Sequence, residues 1–164
     1  MVERITAEQV RAWLDEQVVS DVQENSDEET EYNLQIELSL LPLHIIKEEP
    51  TGPLRIVGRT AFDTQRTATL IRDPEKRRDL LTRIGPALAA TPGFYTFLDE
   101  EGNRCEFDDV YTIQIEHRIY PEGVSRQSLM NGLLTVATAM RYIQNMMATL
   151  LPRPGEEDDG TDAP

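Results

Sequence analysis

The feature that most narrows what this chain can become is a change of hydrophobic period. Tyr32, Leu34, Ile36, Leu38 and Leu40 alternate with Asn33, Gln35, Glu37 and Ser39. Successive side chains of a strand point to opposite faces, so a period of two predicts a half-buried strand of an antiparallel sheet. Near the C-terminus the period lengthens. Leu129, Leu133, Val136, Met140, Ile143, Met147 and Leu150 recur at three- and four-residue spacing, the stripe of a helix of about seven turns that opens at Ser125. A chain carrying both patterns must bury the helix stripe against the apolar face of the sheet.

Turn and cap residues divide the rest. Thr6-Ala7-Glu8-Gln9 reads as a capping box ahead of Val10, Trp13, Leu14 and Val18, a first amphipathic helix. Val18 to Val22 has the composition of a short strand. After Pro42, Leu43 to Lys47 resumes as strand, Pro50-Thr51-Gly52-Pro53 is a turn, and Leu54 to Phe62 is strand again. A short helical turn over Thr64 to Leu70 is weakly signalled. Asp73-Pro74 pairs an N-cap with proline at the first helical position, opening a second helix to Ala90 in which Gly85-Pro86 predicts a kink. Phe94 to Leu98 and Val110 to Tyr120 form a second antiparallel unit around the turn Glu100 to Asn103. The expected fold is α+β, an antiparallel sheet of five or six strands in the order α-βββ(β)-α-ββ-α with helices packed on it.

Hydrophobic residues make up 39% of the 164, enough for the core of one domain, expected over residues 1–151. Residues 152–164, Pro-Arg-Pro-Gly-Glu-Glu-Asp-Asp-Gly-Thr-Asp-Ala-Pro, can bury almost nothing and are expected to be a disordered acidic tail. The tail holds five acids and one arginine, so of the net charge of −14 the remaining residues keep 25 acids against 15 bases. Such a charge argues against nucleic acid and anionic lipid as partners, because phosphate binding draws on Lys and Arg. Two lysines stand against fourteen arginines, which either coding bias or a salt-adapted interior would explain. No apolar run is long enough for a membrane span, and Met1-Val2-Glu3-Arg4 leads into no apolar h-region. With a lone Cys105 and no Cys-x-x-Cys, the expected location is the cytoplasm.

One stretch carries a resemblance. Ile119-Tyr120-Pro121-Glu122-Gly123-Val124-Ser125-Arg126-Gln127-Ser128-Leu129-Met130, a strand ending Ile-Tyr, then an acid, a glycine and a helix start, is similar to a pattern in uncharacterised archaeal and bacterial relatives of the type III secretion chaperone-like fold. Leu43 to Lys47 followed by Leu54 to Gly58 resembles the central hairpin of that group. The likeness spans roughly residues 6–150 and its motifs are structural. It implies a homodimer that binds an extended client segment, and it carries over no catalytic residue.

Candidate chemistry is thin. Asp99-Glu100-Glu101-Gly102 with Glu106, Asp108 and Asp109 offers oxygen ligands but lacks the spacing of an EF-hand loop, and reads as a solvated turn. His44 and His117 fall within strands, and no motif places a Ser or Cys beside either. Arg104 would lower the Cys105 pKa and Glu106 would raise it. Phosphate-loop, dinucleotide, zinc-protease and hydrolase motifs are absent from the sequence. No catalytic residue, cofactor or metal is therefore expected. The long helix carries more: Met130, Leu134, Ala137, Met146 and Leu151 widen its apolar sector beyond what one sheet face needs. Met130, Leu134, Met146, Met147 and Leu151 are the candidate dimer or partner surface, methionines suiting adaptable packing. Helix two, weakened by Gly85-Pro86, is the alternative. The sequence reads as a non-catalytic, chaperone-like homodimeric protein-binding module. The alternative is a small-ligand or enzymatic domain with a pocket between sheet and helices, His117 or Tyr111 at its mouth.

Overall fold

The structure, a computed structural model, describes residues 4–26 and 28–151. Helix α1 (Ala7–Trp13) precedes strands β1 (Val19–Asn25), β2 (Tyr32–Leu38), β3 (Leu41–Lys47) and β4 (Leu54–Ala61). Helices α2 (Gln65–Arg72) and α3 (Pro74–Ala90) follow, then β5 (Phe94–Leu98), β6 (Thr112–Ile119) and α4 (Arg126–Leu150). The six strands form one sheet in the order β1-β2-β3-β4-β6-β5, every neighbouring pair antiparallel. The chain is α+β as expected, with its helices packed on the sheet. The tail expected over residues 152–164 lies outside the described residues.

Alternation decides which face is buried. Tyr32, Leu34, Ile36 and Leu38 of β2 pair with Lys47, Ile45, Leu43 and Leu41 of β3, and all eight are buried. The row continues through Leu54, Ile56, Gly58 and Thr60 of β4 to Ile119, His117, Ile115 and Ile113 of β6. Across this face runs α4, burying Leu129, Leu133, Val136, Met140, Ile143 and Met147. Its approach is close because β4 carries no side chain at Gly58. A Cβ there would fall 2.2 Å from Met140 Sδ and 2.9 Å from Val136 Cγ1. Helix α3 lies beside α4 through Leu80, Ile84 and Leu88, with α2 against both, and α1 meets the start of α4, where Arg126 Nε donates to the Trp13 carbonyl.

Three local expectations change. Alternation does not carry on to Leu40: β2 ends at Leu38, and Ser39 (φ +49°) and Leu40 (φ +69°) form a two-residue turn into β3. Both central residues being left-handed is the geometry of a type I′ hairpin, which matches strand twist and usually recruits Asn-Gly. Helix α1 stops at Trp13, so Val18 lies outside it and stays exposed. Helix α3 runs unbroken through Gly85-Pro86, where no neighbouring side chain crowds Gly85.

Candidate functional site

The long helix opens on a reciprocal cap: Ser125 accepts from the Ser128 amide while the Ser128 hydroxyl accepts from the Ser125 amide. Once its core stripe is buried, residues four apart on the opposite side, Leu134, Thr138 and Tyr142, form an outward ridge. Leu134 is 44% exposed and Tyr142 39%. On one side, α3 leaves a groove of about 620 Å³ floored by Ala87, Ala90, Thr135 and Ala139. On the other, the β2–β3 turn leaves a groove of about 390 Å³ bounded by Leu38, Ser39 and Leu41. Leu134, Thr138 and Tyr142 line both. The ridge is fixed at each flank: Tyr142 Oη donates to the Arg83 carbonyl at 3.2 Å, and Arg141 Nη2 donates to the Ser39 carbonyl at 2.7 Å. No carboxylate lines either groove.

The residues proposed from sequence divide here. Leu134 stands on the ridge, while Met130, Met146 and Leu151 are half-buried against the core and Met147 is inside it. Tyr142 and Leu40, the latter 84% exposed at the hairpin tip, were missed. Tyr142 had a signal, lying eight residues after Leu134 on the same helical face.

A third concavity, about 1120 Å³, sits at the end of the sheet between the β4–α2 connection and the β5–β6 loop. It gathers Asp63, Asp99, Glu100, Glu101, Glu106, Asp108 and Asp109 with Arg72, Arg104, Cys105 and Tyr111. Much of this acidity serves the loop: Asp99 Oδ1 accepts from the Glu101 and Asn103 amides, and Asp108 pairs with Arg77 at 3.3 Å. No group of three or more His, Cys, Asp or Glu able to hold a metal occurs among the described residues. Burial pushes the Cys105 thiol up, and Asp99, Asp109 and Glu106 push it further, so it stays a protonated, weakly nucleophilic thiol at neutral pH. Tyr111 lines this concavity and His117 does not.

His117 faces the core beneath α4, where a Cβ on Gly132 would fall 2.8 Å from its Cδ2, and its Nδ1 lies 3.4 Å from the Pro92 carbonyl. His44 is on the other face, its Nδ1 3.1 Å from Asn33 Oδ1; burial and then Arg59 lower its pKa. That outer face also holds a carboxylate that sequence reasoning missed. Glu116 is 1% exposed, clamped by Arg55, which opposes Arg118 across the β4–β6 pair, and by Arg118 itself. Burial alone would raise the Glu116 pKa, but hydrogen bonds from both arginines, with their charges, hold it below the ordinary carboxylate range. The Arg118 guanidinium lies 5.1 Å over the Phe94 ring, and Arg55 reaches on to Glu48. With every oxygen engaged, Glu116 is built as a structural clamp.

Comparison with known proteins bears on descent and fold. A family model described as an uncharacterized conserved protein, DUF2299, matches residues 6–147. No curated protein matches the chain. The crystal structure of an uncharacterized protein from Methanothermobacter thermautotrophicus is similar at TM-score 0.72 and 16% identity, over 88% of this chain and 98% of that one. At that identity the likeness speaks for the fold alone. The expected kinship with uncharacterised relatives is met; neither match names a secretion chaperone.

Proposed function

We propose that this chain, which belongs to the family of uncharacterized conserved proteins DUF2299, is a non-catalytic protein-binding module of type III secretion chaperone-like build that works as a homodimer. The observation that carries the reading is the outward side of α4, an apolar ridge of Leu134, Thr138 and Tyr142 flanked by two open grooves with no carboxylate in their lining. Exposed apolar ridges with adjoining concavities are where side chains of another polypeptide gain most from leaving water. The flanking hydrogen bonds keep the ridge rigid, which lowers the ordering cost of association. Size-exclusion chromatography with light scattering tests this. The wild type is expected as a dimer at micromolar concentration and Leu134→Glu as a folded monomer with unchanged far-UV circular dichroism. A wild type that is strictly monomeric would sink the homodimer.

A second reading rests on the acidic concavity. Its seven carboxylates against two arginines would take a cationic ligand, such as an arginine-rich peptide or a polyamine. Thermal-shift titration with spermine and with an oligo-arginine peptide separates the two. Saturable stabilisation lost in Asp63→Asn/Glu106→Gln would favour the ligand reading, and no shift at low salt would end it.

A further inference from the structure

We draw no further inference here: the strongest candidate, the apolar ridge of Leu134 and Tyr142 on α4 with the α3–α4 groove beside it, belongs to the site already described, and nothing in the structure shows what covers it.

Discussion

Lys47 sits where the alternation of β3 demands an apolar residue, directly opposite Tyr32, and is 1% exposed. Its ammonium has no ion pair or hydrogen bond among the described residues, and burial, then the charge of Arg4, lowers its pKa. The unfolded chain thus holds this proton more tightly than the folded one. The penalty is full below the lowered folded pKa and lifts as pH rises from there to the ordinary lysine value of about 10.4. Lys47→Met is expected to stabilise the domain at neutral pH, because it removes a charge that burial disfavours. Urea unfolding should show that advantage shrinking toward alkaline pH. Glu116 has the opposite sign. Its depressed pKa adds stability above the unfolded glutamate value of about 4.3 and loses it as pH falls through the folded value. Glu116→Gln should cost about 1.5–3 kcal/mol at neutral pH, the range of hydrogen bonds to charged groups, since it weakens the bonds from Arg55 and Arg118. The gap from wild type should close on acidification. Neither residue was legible as special, because the burial of Glu116 depends on Arg55, 61 positions away and brought opposite Arg118 only by strand pairing.

At the scale of elements, what the sequence disclosed follows which forces are periodic. The β2 alternation and the α4 stripe are set by burial on one face, and both appear in the structure where the residues place them. The hairpin between β2 and β3 was opaque because Ser-Leu stands where a type I′ turn normally advertises itself with Asn-Gly, so the apolar period ran on through Leu40. Helix α2 was faint because its reciprocal Thr64–Thr67 cap precedes a segment that buries only Leu70. Of the residues offered as a partner surface, Leu134 stands exposed on α4, and the grooves beside it exist only because α3 and the hairpin settle on either side of that helix. The contact of α4 with β4 is the stiffest of these joints. Gly58→Ala drives a methyl into Met140 and Val136 and is expected to destabilise by about 1–3 kcal/mol in chemical denaturation, as overpacking does. Gly93→Ala should also destabilise, for a different reason: φ is +110° and a Cβ would lie 2.3 Å from the Glu116 carbonyl oxygen.

Taken whole, the molecule divides its surface by charge. Thirty acids against sixteen bases make self-repulsion a standing cost, and the acidic concavity at the sheet end concentrates it. Added sodium chloride should therefore raise the melting temperature by screening; a flat or falling calorimetric trend would contradict that distribution of charge. Against this background the grooves around α4 have no carboxylate in their lining, and the partner surface is proposed there for that reason. Leu134 and Tyr142 stand on that side. Methyl NMR of the wild type over a concentration series examines it directly. Concentration-dependent shifts are expected in the methyls of Leu134, Ala87 and Ala90, while Ile46 on the opposite sheet face stays still. Shifts centred on Ile46, or none at any concentration, would contradict it.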